Sequence, residues 1–212
     1  MGVHNLQSCV DEINLGTDVA WDMSTMPFPA IVVDGSGLMH SIYKKYSEWQ
    51  YAGGYHVFQL QCERFLLHLL SLFSPSQSSI GVTRVFVILD GLSPVYKRKD
   101  DRNAQKIKSV ITYMRSIKEA DHHVSAKHEY VLPYLARIVF ISLLRRLVIE
   151  TGGLIGFSVS VYEADADIAC LARDVKGVVI GQDSDFFIHD IPGYIPLRTI
   201  DISTGLNVYY VT

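Results

Sequence analysis

The sequence predicts an α/β fold with three layers, a mainly parallel sheet flanked by helices on both faces. Three observations carry this. Short β-branched runs alternate with longer helical patterns over residues 30–200, which is the pattern of βαβ units. Each run stops at an acid: Asp34 after AIVV, Asp90 after VFVIL, Glu163 and Asp165 after SVSVY, Asp183 and Asp185 after GVVIG. Clusters of Gly, Pro and Ser fall between the runs and not inside them.

Taken in order, residues 30–34 are the first strand, and a helix over 36–46 follows with Ser36 at the cap position. Residues 51–55 form a Gly-rich loop before a long amphipathic helix over 56–73. The Pro- and Ser-containing stretch 74–79 breaks the chain ahead of a strand over 83–89. A basic helix occupies 97–118, and a polar link lies around 120–128. A second long helix is predicted over 130–150, with Pro133 tolerated in its first turn and Gly152-Gly153 ending it. A strand over 157–162, a helix over 164–174, a strand over 177–180 and a short helical turn near 185–189 come next. Residues 193–200 read as a last strand. No internal repeat and no low-complexity linker interrupts this, so one domain spans residues 1–212.

Composition bounds the rest. At 49% hydrophobic and 19% charged, the chain can bury a full core. Cys9, Cys62 and Cys170 are far apart and odd in number, with no C-x-x-C pair. That argues against a disulfide framework or zinc site and for a reducing compartment. Asp11 and Glu12 near the start, without a long apolar segment, argue against a secretory signal. Met1-Gly2 opens like a myristoylation site, but Leu6 stands where Ser or Thr is required. The longest apolar stretches, FLLHLLSLF and IVFISLL, are too short to span a bilayer. The expectation is a soluble intracellular protein without a membrane partner.

Parallel strands in an open sheet point their carboxyl ends at one edge, where ligands bind. The six acids are therefore expected to converge on one crevice. Crowded carboxylates raise one another's pKa unless a cation neutralises them. Hard oxygen ligands in such number favour Mg2+ or Mn2+ over zinc. The net charge of −3 does not suggest a nucleic-acid binder, but residues 97–118 hold eight basic residues against two acids. A basic helix beside an acidic crevice suits a polyanionic substrate, the helix holding phosphates.

Simpler roles stand beside these. Asp34 or Asp90 could cap the helix that follows, and Asp183-x-Asp185 could be a turn in which Asp bonds its own backbone. Asp167 is expected to point away from Asp165 and reads as solvated or as a support behind the metal ligands. His122, His123 and His128 fit no zinc spacing, and a polar loop is the better reading. Tyr55, His56 and Phe58 could stack on bases, although aromatic residues on a helix face more often belong to the core.

On these residues the chain resembles the flap endonuclease/XPG superfamily, which has a PIN-like nuclease core, and within it the Asteroid branch. The matching blocks are Met1-Gly2, VVDGSGLMHSIY (32–43), GGYHVFQLQCERFL (53–66), VILDG (87–91), YEADADIACLA (162–172) and GQDSDFFIHDIPGYIPL (181–197). The resemblance implies two divalent ions, Mg2+ or Mn2+, held by Asp34, Asp90, Glu163, Asp165, Asp183 and Asp185. Asp165 stands where flap endonucleases have Glu. Lys97, seven residues after Asp90, matches a family lysine that contacts the scissile phosphate. Arg102 and Lys106 flank the position of a family arginine, and with Arg98 they are candidate phosphate contacts. The amine of Gly2, once Met1 is removed, is expected near the site.

The reaction so implied is two-metal hydrolysis of a phosphodiester, without a side-chain base, by a monomer. DNA is favoured over RNA as substrate and the nucleus over the cytoplasm. Two departures matter. The seventh family acid, in a Gly-x-Asp-Tyr stretch, and the helix–two-turn–helix clamp beyond it do not occur before NVYYVT (207–212), and Asp201 lacks that context. Residues 113–130 are short for a helical arch. Either the chain is the N-terminal part of a longer protein, which is the expectation, or its site is one ligand short.

Two other enzyme classes fit poorly. A haloacid-dehalogenase phosphatase needs Asp-x-Asp where this chain has Asp34-Gly35-Ser36, and a Rossmann protein needs G-x-G-x-x-G after the first strand. A non-catalytic scaffold on the nuclease fold, binding nucleic acid or protein, is the remaining alternative.

Overall fold

The computed structural model describes residues 20–21, 28–45, 54–72, 84–91, 108, 111, 132–200 and 208–209. In chain order the elements are β1 (Ala20–Trp21), β2 (Ala30–Asp34), α1 (Gly35–Lys45), α2 (Tyr55–Leu72) and β3 (Arg84–Leu89). They continue with α3 (Tyr134–Glu150), β4 (Ile155–Val159), α4 (Asp165–Val175) and β5 (Val178–Gly181). A 3-10 turn (Ser184–Ile188), β6 (Tyr194–Pro196), a second 3-10 turn (Leu197–Thr199) and β7 (Val208–Tyr209) complete the order.

Five strands form one sheet in the order β4-β3-β2-β5-β6, and every neighbouring pair is parallel. β1 and β7 pair antiparallel in a separate ribbon. The three-layer architecture with a parallel sheet is thus the one expected. Strand β2 lies at the centre, and all five of its residues are buried, because a central parallel strand is covered on both faces and tolerates no alternation with polar residues.

Strand periodicity sorts the core into two halves. Ile31 and Val33 of β2, Val85, Val87 and Leu89 of β3, and Val178 and Ile180 of β5 face one way. They pack on Leu38 and Ile42 of α1, Phe58, Leu66 and Leu69 of α2, and Phe140, Leu143 and Leu147 of α3. Val32, Ile88 and Val179 face the other way onto Ile168 and Ala172 of α4, with Phe186 and Tyr194. Phe58 is fully buried, edge-on to Tyr43 at 5.7 Å. It is a core residue and not a stacking platform.

Several boundaries differ from the sequence reading. Helix α3 starts at Tyr134, not at 130, and Pro133 precedes it in extended conformation with ψ 142°. The ring of a proline disfavours helix in the residue before it, so the helix begins after the proline. It ends where Gly152 and Gly153 take positive φ. Strand β4 covers Ile155–Val159 and not 157–162, since Ser160 onward turns toward the crevice. The predicted last strand is only Tyr194–Pro196, followed by the second 3-10 turn. Among the described residues no helix is long and apolar enough to cross a membrane.

Candidate functional site

The carboxyl ends of the parallel strands open into a crevice of about 570 Å³. Asp34, at the end of β2, and Asp90, just past β3, line it together with Glu163 and Asp165 at the start of α4 and Asp183 just past β5. Ser36, Gly37, His40, Gln182 and Ser184 complete the wall. Asp185 is not among the lining residues. It sits within the 3-10 turn, where its backbone N–H donates to Asp183 Oδ1 at 3.0 Å. Asp167 is exposed on α4.

Three of the acids are oriented by backbone donors. Asp34 Oδ1 accepts from the Gly37 N–H at 2.9 Å, Asp90 Oδ1 from the Ala164 N–H at 2.9 Å, and Asp183 Oδ1 from the Asp185 N–H. Each takes up a bond that a helix start or turn would otherwise leave unmade. The cap of α1 is therefore Asp34 and not Ser36. Ser36 Oγ instead accepts the Asp90 N–H at 3.0 Å, linking the ends of β2 and β3. Capping and lining the crevice are compatible here, because a carboxylate has a second oxygen.

Two of the closely approached glycines lie at the crevice. A Cβ on Gly37 would lie 2.3 Å from Asp34 Oδ2, and one on Gly91 would lie 1.7 Å from the Ser160 carbonyl oxygen. Gly91 also donates its N–H to the Tyr162 carbonyl at 2.6 Å. Asp90 and Glu163 thus face the same crevice from two loops held in backbone contact.

The electrostatics record the crowding. Burial pushes the Asp34 carboxyl up to about 6, opposed by the Gly37 hydrogen bond and reinforced by the charges of Asp90 and Asp165. Asp165 is also raised, first by burial and then by Asp183, Asp90 and Glu163, with His189 opposing. An all-oxygen, all-anionic donor set of this kind suits a hard divalent cation. As the side chains stand, however, no group of three or more among the described residues is gathered tightly enough to hold an ion.

Two further residues reach the site from a distance. Arg137 on α3 donates to the Asp90 backbone carbonyl. The sequence carries a faint signal for it, a cation near the N-terminus of an apolar helix, where the helix dipole disfavours positive charge. Charged donors to neutral acceptors contribute about 1.5–3 kcal/mol. Arg137→Ala should therefore lower stability by roughly 2 kcal/mol in urea denaturation, and a loss below about 0.5 kcal/mol would mean the bond does not hold the Asp90 loop. Tyr194 on β6 is the second; nothing in a three-residue strand distinguishes it in sequence.

Gly2, Lys97, Arg98, Arg102 and Lys106 lie outside the described residues, as do 113–130 and Asp201. From the basic segment only Lys108 and Ile111 are described, both helical and exposed.

A parallel five-stranded sheet flanked by helices, with acids at its carboxyl edge, defines the class as a three-layer α/β fold of the PIN-like kind. The same fold occurs in the catalytic core of Rad2 in complex with DNA substrate, matched at TM-scores of 0.54 and 0.56 over 99% of this chain. Identity is 16% and 14%, and 55% and 54% of those chains are covered. Among individual proteins, the chain is 28% identical over 178 residues to Protein asteroid of Drosophila melanogaster. It is 26% identical over 205 residues to the Single-strand DNA endonuclease ASTE1 of Danio rerio. These alignments cover 82% and 93% of this chain but only 18% and 25% of the relatives, so the chain spans a quarter or less of their length. No family model matches. The relatives bear out the resemblance to the flap endonuclease/XPG superfamily on its Asteroid-like branch, and the solved structures bear out the fold.

Proposed function

We propose that this chain is the N-terminal nuclease domain of a longer, structure-selective phosphodiesterase that acts on DNA in preference to RNA. One observation carries the reading: five carboxylates from the ends of three strands and the start of α4 line a single crevice. The Rad2-type fold and the relative named as a single-strand DNA endonuclease support it. DNA as the proposed substrate supports the nucleus over the cytoplasm as its compartment.

Mg2+ or Mn2+ fits the donor set, and the residues that would hold two ions are Asp34, Asp90, Glu163, Asp165 and Asp183, which line the crevice, with Asp185 of the adjoining turn as the sixth. When bound, such ions neutralise the crevice and make water nucleophilic at neutral pH. The chain's own contribution is geometric and electrostatic. Asp34, Asp90 and Asp183 are held in place by the N–H groups of Gly37, Ala164 and Asp185. Arg137 and Ser36 hold the Asp90 backbone at its carbonyl and its N–H. Lys97 is assigned to the scissile phosphate, where its charge offsets charge growing in the transition state. Arg98, Arg102, Lys106 and the Gly2 amine are assigned to binding the strand.

The test is a Mg2+-dependent cleavage assay on branched and single-stranded DNA and RNA, with this chain and with a longer one. Asp90→Asn should lower cleavage by about a thousandfold, and Lys97→Ala should lower kcat far more than it raises KM. Charge reversal at Arg102 and Lys106 should weaken binding to all sequences and flatten its salt dependence. Cleavage that survives Asp90→Asn would sink the reading. The alternative is a non-catalytic nuclease-fold scaffold. Nucleic-acid binding without cleavage by either chain, indifferent to Asp90→Asn, would establish that one.

A further inference from the structure

We propose that Tyr194 is a positioning residue for the crevice, its hydroxyl locking the end of β5 so that Asp183 meets a divalent cation in a single orientation. This rests on the metal-nuclease reading above. Tyr194 stands on edge strand β6, level with Val179 of β5. Its hydroxyl extends past that level along the neighbouring strand and donates to the carbonyls of Gly181 at 3.1 Å and Asp183 at 2.8 Å. One proton is shared between two carbonyls that lie on either side of Gln182, where strand becomes turn. The second of them belongs to Asp183 itself.

The side chain of Asp183 is restrained too. Its Oδ1 accepts the Asp185 N–H at 3.0 Å. With the backbone carbonyl held from β6 and one carboxylate oxygen held from the turn, rotation about the Asp183 side chain is narrowed, and the remaining oxygen is left for the crevice. The Tyr194 ring is only 5% exposed. It packs against Phe186 at 5.4 Å and edge-on against Phe187 at 4.8 Å, so the phenol cannot swing aside. Burial, followed by the charges of Asp34 and Asp183, raises its pKa far above the ordinary tyrosine value.

Groups that orient a metal ligand from outside it typically change metal affinity by about 10–100-fold when removed. The experiment is a Mg2+ titration of the 212-residue chain, followed by thermal midpoint, for wild type, Tyr194→Phe and Phe187→Leu. Tyr194→Phe keeps the ring and should raise the Mg2+ concentration giving half the full shift by about tenfold. Phe187→Leu loosens the same aromatic cluster without touching the hydroxyl; it should lower the midpoint in EDTA and leave the Mg2+ requirement unchanged. In an Asp183→Asn background, Tyr194→Phe should add nothing, because its effect passes through Asp183. Four results overturn the proposal: an unchanged Mg2+ requirement in Tyr194→Phe, an equal change in Phe187→Leu, an undiminished effect in the Asp183→Asn background, or failure of Tyr194→Phe to fold. A wild-type chain that does not respond to Mg2+ or Mn2+ overturns the metal reading and this proposal together, whereas a responsive wild type with an unaltered Tyr194→Phe overturns the proposal alone.

Discussion

Gly91→Ala should destabilise the protein by on the order of 4 kcal/mol, at the severe end for a single methyl group. The added Cβ would lie 1.7 Å from the Ser160 carbonyl oxygen and 2.6 Å from that of Val161. Both obstacles are backbone, so no side chain can rotate away. The two segments are also stitched together, Ser160 N–H to the Leu89 carbonyl at 2.9 Å and Gly91 N–H to the Tyr162 carbonyl at 2.6 Å. Relieving the clash means breaking those bonds and separating the Asp90 loop from the Glu163 loop. Urea denaturation checks the stability loss, and the Mg2+ dependence of the midpoint checks the damage to the crevice. Gly156→Ala on β4, whose new Cβ would come no closer than 3.4 Å to Phe86, is the comparison and should stay within about 1 kcal/mol of wild type. Equal behaviour of the two variants would show that the loop contact yields freely.

Asp34→Asn should stabilise the metal-free protein by up to about 3 kcal/mol above pH 6. The carboxyl titrates at about 6 in the folded chain against 3.8 for the free group. Between those values the folded state holds more protons than the unfolded one, so wild-type stability falls as pH rises through that window. The penalty is complete above about pH 6 and absent below about pH 4. Asp34 is 8% exposed, so solvent screens little of it. Asparagine keeps the oxygen that accepts the Gly37 N–H and removes the charge. Denaturant curves in EDTA from pH 4 to 8 should therefore converge at the acid end and separate toward neutrality. Saturating Mg2+ should close the gap, because a cation relieves in wild type what the amide relieves in the variant. If Asp34→Asn is no more stable than wild type at pH 8 in EDTA, burial and the neighbouring charges do not raise the Asp34 carboxyl as its placement implies.

Much of the framework was legible along the chain. The β-branched runs gave the five parallel strands, and the acids that end them mark the edge at which the crevice opens. Runs such as AIVVD could be read because a strand buried on both faces is apolar throughout, and that property is local. Boundaries failed where a local rule met a competing one, as at Pro133, which begins α3 from outside rather than inside its first turn.

The alternatives weighed for single acids turned out to be partly true. Asp34 caps a helix and Asp183 ties a turn, and both still line the crevice. A sequence offers these roles as rivals, because it does not show that the two oxygens of one carboxylate can be used separately. Asp185 shows the converse: it sits two residues from Asp183 in the same motif, yet it is not among the residues that line the crevice.

Composition and periodicity along the chain were enough to settle the α/β class, the parallel sheet and the acids at its carboxyl edge, because each depends on neighbours within a few residues. The tertiary structure alone decided that Asp90 is held by Ser36 and Arg137, that Tyr194 closes on the carbonyls of Gly181 and Asp183, and that Gly91 must lack a side chain. Those contacts join residues between 11 and about 70 positions apart. Their geometry follows from strand register and helix packing across the sheet, which set distances that no spacing within one segment encodes.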